Sequence, residues 1–115
     1  MSKQLIKTMF DIIDEQDWHK LNQVFSMDCV YHRPGFSVLI GLHSIIQFYQ
    51  SVRSIQRGTH TLTLLLEEGS HVCANGEFSG LLKTGEPTHV EFSDIYELKD
   101  GLIASRRTFF FAPLI

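Results

Sequence analysis

Residues 92–101 read Phe-Ser-Asp-Ile-Tyr-Glu-Leu-Lys-Asp-Gly, and their alternation of apolar and polar side chains predicts a β-strand followed by a tight turn. Successive side chains of a strand point to opposite faces, so Asp94 lies on the same face as Phe92 and Tyr96. This stretch therefore places a strand near the end of the chain. It also raises the question of what a carboxylate does on an otherwise apolar face.

The two-residue period begins at Thr59, and short turn sequences divide the rest of the chain into four strands. The turns fall at 68–69, 84–87 and 99–101, and each is too short for a crossover helix, which predicts antiparallel hairpins. The predicted inward rows are His60, Leu62, Leu64 and Leu66, then Val72, Ala74 and Phe78, then Val90, Phe92, Asp94, Tyr96 and Leu98.

Before Thr59 the apolar residues recur at helical spacing. The pattern predicts a helix over about residues 3–14, a second short helix capped by Asp17 with an apolar face that extends to Phe25, and a third over about residues 42–54. A strand over residues 29–33 separates the last two helices. Three N-terminal helices packed on one face of a curved, mostly antiparallel sheet form an α+β fold.

Composition and charge narrow the class of protein. The chain has 115 residues, of which 43% are hydrophobic and 20% charged, which predicts one compact domain over residues 1–115. A net charge of -3 with no basic stripe argues against a nucleic-acid partner. The charged N-terminal segment resembles neither a signal peptide nor a membrane span, so we expect a cytoplasmic protein whose Cys29 and Cys73 are buried and reduced.

Several short motifs occur together in a recognisable order. They are Asp17-Trp18-His19-Lys20-Leu21, Tyr31-His32-Arg33-Pro34-Gly35, Gly41 followed by Phe48-Tyr49, and Glu97-Leu98-Lys99-Asp100-Gly101-Leu102-Ile103. Together they resemble the nuclear transport factor 2-like superfamily, in particular its SnoaL-like and ketosteroid-isomerase-like branches. The resemblance implies a cone-shaped α+β barrel whose sheet encloses a pocket for a small, mostly apolar molecule. It also implies a homodimer formed through the outer face of the sheet.

The resemblance also supplies a test of activity. The isomerases of this superfamily use a carboxylate base, a tyrosine hydroxyl and a protonated aspartic acid. The corresponding positions here are Arg33, Met9 and Asp94, so only the aspartate is retained. An arginine cannot abstract a carbon-bound proton and a thioether cannot donate a hydrogen bond, which argues against steroid isomerisation.

The turn at residues 99–101 determines which residue faces Asp94. A three-residue hairpin loop would place Arg106 opposite Asp94, and a two-residue turn would place Arg107 there. In either register the sequence predicts an ion pair that keeps Asp94 ionised. The aspartate would then serve as an anchor or a base, or the pair would be purely structural.

His32 and Arg33 are neighbours on one strand, so only one of them can reach the pocket, and the alignment with the isomerases favours Arg33. We keep Asp94 or His32 as the candidate base and Arg33 as the residue that orients the substrate. The other histidines, at 19, 43, 60, 71 and 89, lack metal-ligand spacing, and no phosphate-binding loop follows a strand. We therefore expect neither a metal nor a cofactor.

These observations lead to two hypotheses. In the first, the chain is an enzyme of the isomerase, cyclase, dehydratase or hydrolase type that acts on a small, mostly apolar substrate by acid/base chemistry. In the second, it is a non-catalytic ligand-binding or assembly module. The predicted ligand-binding residues are Met9, Trp18, Tyr31, Phe48, Phe92, Tyr96, Arg106 and Phe110.

Overall fold

A computed structural model describes residues 2–112 of the chain. It opens with helix α1, Ser2–Glu15, which confirms the helix predicted over residues 3–14. The buried face of α1 follows the three- and four-residue spacing of an amphipathic helix. That face consists of Ile6, Met9, Phe10, Ile12 and Ile13.

The second predicted helix is shorter than expected. Residues Trp18–Gln23 form a 3₁₀ helix, and Asp17 makes no side-chain capping bond to it. Strand β1, Phe25–His32, begins where the prediction still placed helix. The carbonyl of Val24 accepts a hydrogen bond of 2.8 Å from the Ile103 N–H, so the chain joins the sheet before the predicted helix could be completed.

Helix α2, Leu42–Gln47, continues as a single π-helical turn, Phe48–Val52, and together they account for the third predicted helix up to Val52. The wide turn is closed by a 3.0 Å hydrogen bond from the Arg53 N–H to the Phe48 carbonyl. Phe48 and Tyr49, the first two residues of this turn, are both buried. Within residues 2–112, no helix has the length and hydropathy needed to cross a lipid bilayer.

Six strands form one curved sheet in the order β2-β1-β6-β5-β4-β3. Besides β1 they are β2, Leu39–Ile40; β3, Ile55–Glu68; β4, His71–Leu82; β5, Pro87–Lys99; and β6, Leu102–Phe110. Strands β1 and β6 are parallel, and all other neighbours are antiparallel. Among the described residues, β2 and β3 remain the edges of the sheet, so it is not closed. Helix α1 packs against β3 and α2 against β1, which confirms the predicted α+β architecture.

The β5–β6 pair has neither of the two predicted registers. Asp100 and Gly101 both have positive φ angles, of 53° and 80°, which is typical of a two-residue turn. An irregularity beside Glu97 then shifts the register by one residue, so that Asp94 lies opposite Thr108. Arg106 lies opposite Tyr96 instead, diagonal to Asp94.

Two further predictions about the faces of the sheet were wrong. A register shift between Leu62 and Leu64 turns the end of β3 over, so Leu64 and Leu66 face outward and are 47% and 55% exposed. Cys73 is likewise exposed on the outer face, whereas Cys29 is buried as expected, and neither cysteine forms a disulfide. Burial raises the pKa of Cys29 to about 11, so its thiol remains protonated.

Two glycines allow β3 and β4 to approach closely at one end of the inner face. Gly58 lies opposite Gly80 in the register, and the ring of Phe78 covers the space that a side chain at Gly58 would occupy. A Cβ atom at Gly80 would meet the backbone carbonyl of Arg57. The missing side chains therefore make room for Phe78 in the wall of the interior.

Candidate functional site

Asp94 is completely buried and engaged by three side chains. Its Oδ2 atom accepts hydrogen bonds from the Tyr96 hydroxyl at 2.5 Å and from Nη2 and Nε of Arg106 at 3.0 and 3.2 Å. Its Oδ1 atom accepts a bond of 2.6 Å from the hydroxyl of Thr108. The arginine that pairs with Asp94 is therefore Arg106, while Arg107 is exposed on the other face.

The same network includes two further tyrosines. Nη1 of Arg106 donates to the Tyr49 hydroxyl at 2.8 Å, and the guanidinium lies over the ring of Tyr31, 4.6 Å from its centroid. The Thr108 hydroxyl donates to Asp94, so the Tyr31 hydroxyl, 3.0 Å away, donates to Thr108. These bonds connect β1, β5, β6 and the π-helical turn at one point of the interior.

The charges of this network are fixed by their surroundings. Burial opposes the charge of Arg106, but Asp94 and the neighbouring tyrosines outweigh burial and raise the pKa of Arg106 well above its ordinary value. Burial also raises the pKa of Tyr31 to about 12 and the pKa of Tyr96 well above its ordinary value. Both phenols remain protonated, and the Tyr96 hydroxyl donates to Asp94.

A small cavity lies beside the network, on the inner face of the sheet. The volume of this cavity is about 40 Å³. It is lined by Arg33, Ile55, His60, Phe78, Val90, Phe92, Arg106, Thr108 and Phe110. Four of the residues predicted for the pocket, Arg33, Phe92, Arg106 and Phe110, thus lie together in its wall. Asp94 does not line it.

The remaining predicted site residues lie around the cavity or away from it. Met9, Tyr31, Phe48 and Tyr96 are buried in the core, and Trp18 is half-buried against Tyr49, with ring centroids 5.2 Å apart. His32 is exposed and lies in a surface groove with Pro34 and Arg107. Of the two alternatives left open by the sequence, Arg33 rather than His32 reaches the cavity.

A carboxylate–histidine pair completes the cavity wall. The Nδ1 atom of His60, on β3, lies 2.5 Å from Oδ1 of Asp14, at the end of α1. The backbone N–H of His60 donates to the other oxygen of the same carboxylate at 2.9 Å. Since Nδ1 is occupied by Asp14, Nε2 is the ring nitrogen left to meet a ligand, and it has no hydrogen-bond partner within residues 2–112.

The ring of His60 is surrounded by aromatic side chains. Its centroid lies 4.6, 4.7 and 5.6 Å from those of Phe78, Phe10 and Phe92. Burial lowers the pKa of His60 more than its bond to Asp14 raises it. A neutral imidazole with a proton on Nδ1 donates to Asp14 and leaves a lone pair on Nε2, which is the form of a general base.

The sequence interpretation missed this pair. It placed His60 correctly on an inward row but considered the histidines only for metal binding, and it gave Asp14, at the end of the predicted helix over residues 3–14, no role. An inward histidine among apolar residues needs a hydrogen-bond partner, and this requirement could have indicated that His60 is paired with a polar residue. Within residues 2–112, no group of three histidine, cysteine, aspartate or glutamate side chains could hold a metal ion.

Comparison with solved structures shows the same fold in other proteins. A proposed SnoaL-like polyketide cyclase from Jannaschia sp. CCS1 superimposes with a TM-score of 0.84 at 14% identity, over 95% of this chain and 84% of that one. An epoxide hydrolase of the LEH-like type from M. tuberculosis gives 0.83 at 14% identity, over 96% and 82%. A protein of ketosteroid isomerase-like fold from Catenulispora acidiphila DSM 44928, in complex with trimethylamine, gives 0.81 at 17%, over 91% and 83%.

At these identities the structural matches establish the fold and not an activity. No curated protein sequence matches the chain. The family model of the SnoaL-like domain matches residues 6–106, which include helix α1 from Ile6 onward, the cavity residues Arg33 and His60, and the Asp94–Arg106 pair. The chain belongs to the SnoaL-like domain family, within the nuclear transport factor 2-like superfamily.

Proposed function

We propose that the chain binds a small, mostly apolar carbonyl compound in the inner cavity and moves a proton on it. The observation that carries this proposal is the His60–Asp14 pair, because it leaves the lone pair of a neutral imidazole in the cavity wall. Desolvation by the three phenylalanine rings keeps this imidazole in its basic form near neutral pH.

The proposed chemistry is proton abstraction from a carbon next to a carbonyl group. Nε2 of His60 would take the proton, and Asp14 would stabilise the imidazolium that forms. Negative charge would develop on the carbonyl oxygen, and the guanidinium groups of Arg33 and Arg106 in the cavity wall can donate hydrogen bonds to it. Isomerisation, cyclisation and dehydration all include such a step, whereas Arg33 and Met9 argue against a steroid isomerase.

Asp94 has a positioning role in this proposal. Its two oxygens accept four hydrogen bonds from Tyr96, Arg106 and Thr108, and it has no exposed surface. It would therefore hold Arg106 in place rather than take a proton from a substrate. The similar fold of an epoxide hydrolase and of a proposed polyketide cyclase supports a small molecule as the ligand of the cavity.

Hydrogen–deuterium exchange at carbon tests the proposal without a known substrate. The protein is incubated in D₂O with acetone, cyclopentanone and 4-oxopentanoate, and NMR follows the loss of the signals next to the carbonyl. We expect the wild type to accelerate exchange of at least one compound above the buffer rate. Replacement His60→Gln should abolish this acceleration, since glutamine cannot accept the proton.

The matched control is His71→Gln. His71 also lies near a carboxylate, 3.8 Å from Glu97, but its side chain is 58% exposed and does not line the cavity. This variant should exchange at the wild-type rate. Exchange at the buffer rate with the wild type, or exchange that persists in His60→Gln, would refute the proposed activity.

A second candidate function is assembly through the outer face of the sheet, and we propose that two copies associate there. Apolar side chains are exposed on this face, with Leu66, Ile95 and Phe109 at 55%, 42% and 47%. An exposed apolar patch of this kind is typical of an interface. Light scattering should show a dimer for the wild type and a monomer for Ile95→Lys, while a monomeric wild type at high concentration would exclude the proposal.

A further inference from the structure

Arg33 is a partly buried cation without a carboxylate partner. Its guanidinium lies between two aromatic rings, 5.3 Å from the centroid of Phe48 and 5.2 Å from that of Phe110. Its Nε atom is buried and has no hydrogen-bond partner in the described part of the chain. Within residues 2–112, no carboxylate lies within ion-pair distance of it, although the residue lines the cavity.

Arg53 is a second cation of the same kind. It is 5% exposed, and its guanidinium lies over Trp18 and Tyr49, 5.1 and 5.3 Å from their centroids. Its side chain forms no ion pair with any residue from 2 to 112. Burial lowers the pKa of Arg53, Tyr49 and Asp14 raise it, and the charge of Arg33 lowers it, so the two cations are close enough to repel each other.

The charges around the cavity do not balance. Arg106 is neutralised by Asp94, and Asp14 is the second carboxylate of the group. With Arg33 and Arg53 included, three guanidinium groups face two carboxylates among residues 2–112, and burial disfavours a charge on His60. One positive charge is therefore left over in a region where an unpaired charge is costly.

We infer that the substrate carries one carboxylate group, which the free Nε edge of Arg33 binds in the cavity and the charge of Arg53 attracts from nearby. This inference rests on the proposed function, because it names the class of substrate for the same cavity. Nε–H and one Nη–H of an arginine form a fork that matches the two oxygens of a carboxylate. A single excess charge matches a carboxylate better than a phosphate monoester, which carries up to two negative charges near neutral pH.

The orientation of the substrate follows from this placement. Its carboxylate would lie at Arg33, between Phe48 and Phe110, which leaves Arg106 to donate to the carbonyl oxygen of such a substrate. Its apolar part would extend toward the phenylalanines around His60. The reacting carbon would then lie near Nε2 of His60. A small keto acid or a related unsaturated acid has these features. Because about 40 Å³ holds only one or two water molecules and Nε of Arg33 is buried, the cavity must widen at Arg33 to admit even such a small ligand.

Matched pairs of probes test the inference by binding alone. Acetate, butyrate and benzoate are compared with acetamide, butyramide and benzamide by NMR titration of the wild-type protein. We expect at least one carboxylate to bind about tenfold or more tightly than its amide, a typical effect of one charge-assisted pair. Inorganic phosphate, titrated as a third arm, should bind more weakly than that carboxylate.

Two variants locate the effect. Arg33→Gln should remove the preference for the carboxylate, and Arg33→Lys, which keeps the charge but loses the fork, should reduce it. Arg57→Gln removes a charge from an exposed residue of β3 and should leave the preference unchanged. Circular dichroism verifies that each variant is folded. If Arg33→Gln is unfolded, Arg53→Gln is tested in its place and should weaken carboxylate binding severalfold.

The outcomes separate this inference from the proposed activity. Equal affinity for carboxylates and amides, no binding of any probe, tighter binding of phosphate, or an unchanged preference in Arg33→Gln would each overturn the inference. Exchange of neutral ketones without a carboxylate preference would refute the inference and leave the proposed activity standing. Carboxylate binding at Arg33 without any exchange at carbon would refute the proposed activity and leave the inference standing.

Discussion

The carboxylate of Asp14 holds His60 by two contacts, one to the Nδ1 atom of the ring at 2.5 Å and one to the backbone N–H at 2.9 Å. The first contact orients the imidazole, and the second fixes the strand that carries it. Because Asp14 is near the end of α1 and His60 is on β3, the pair also joins the helix to the edge of the sheet. The orientation of the proposed base and the packing of the first helix therefore depend on the same carboxylate.

The first prediction concerns the tautomer of His60. In the wild type at neutral pH, the Nδ1 proton donates to Asp14, so long-range ¹H–¹⁵N NMR should show one tautomer with the proton on Nδ1. Asp14→Asn replaces the acceptor by an amide and should yield a mixture of both tautomers. Asp11→Asn, on the exposed side of the same helix, should leave the spectrum of His60 unchanged. A wild-type ring protonated on Nε2 would contradict the proposed base.

The second prediction concerns stability and pH. The pKa of His60 in the folded protein lies below its ordinary value of 6.5, so the unfolded chain binds more protons in this range. Its contribution to the free energy of unfolding should be full above pH 6.5 and be lost as the pH falls through the folded pKa. Urea unfolding of the wild type and His60→Gln, from about pH 8 to about pH 5, should therefore show a difference that shrinks at low pH.

The control for this titration is His43→Gln, which changes an exposed histidine of α2. Its difference from the wild type should be nearly constant across the same pH range. If the difference between the wild type and His60→Gln grew as the pH fell, the pKa of His60 would be raised by folding rather than lowered. That result would mean that Asp14 outweighs burial.

The third prediction concerns the buried ion pair. Asp94→Asn removes a charge that faces Arg106 in a site with no exposed surface, and leaves the guanidinium uncompensated. The free energy of unfolding should fall by about 3–5 kcal/mol, as for other broken buried pairs. Asp17→Asn breaks the exposed pair with Lys20 at 3.4 Å and should cost less than about 1 kcal/mol. Similar losses in the two variants would show that burial does not increase the cost of breaking the Asp94–Arg106 pair.

Much of the fold could be predicted from local patterns. The period of 3.6 defined α1, the period of two defined the four long strands, and the alternation in β5 placed Asp94 on the inner face with Phe92 and Tyr96. These features depend on burial of one face of each element, and burial leaves a direct record in the spacing of apolar residues. The ion pair of Asp94 with Arg106 was among the predicted alternatives, but the prediction placed Arg106 directly opposite Asp94, whereas the structure places it diagonal to Asp94.

The errors arose where one extra residue changes a register. A bulge beside Glu97 moved Thr108 opposite Asp94, and a bulge beside Leu62 turned Leu64 outward. Bulges leave little trace in a hydrophobic pattern, because they reverse the faces without changing the composition. The Asp14–His60 pair was missed for a different reason. It joins residues 46 positions apart, and their proximity depends on how α1 crosses the sheet.

The last prediction concerns the close approach of β3 and β4. Gly80→Ala would place a Cβ atom against the backbone carbonyl of Arg57, and a backbone atom in a paired strand cannot move aside as a flexible side chain can. We expect a loss of about 1–3 kcal/mol in the free energy of unfolding, typical of an overpacked interior. Ser79→Ala, at the neighbouring exposed position, should change it by less than about 0.5 kcal/mol. Phe78 lies against both Gly58 and Gly80 and also lines the cavity, so Gly80→Ala should additionally shift the NMR signals of His60. An unchanged free energy of unfolding would instead mean that the two strands separate at Gly80 without cost.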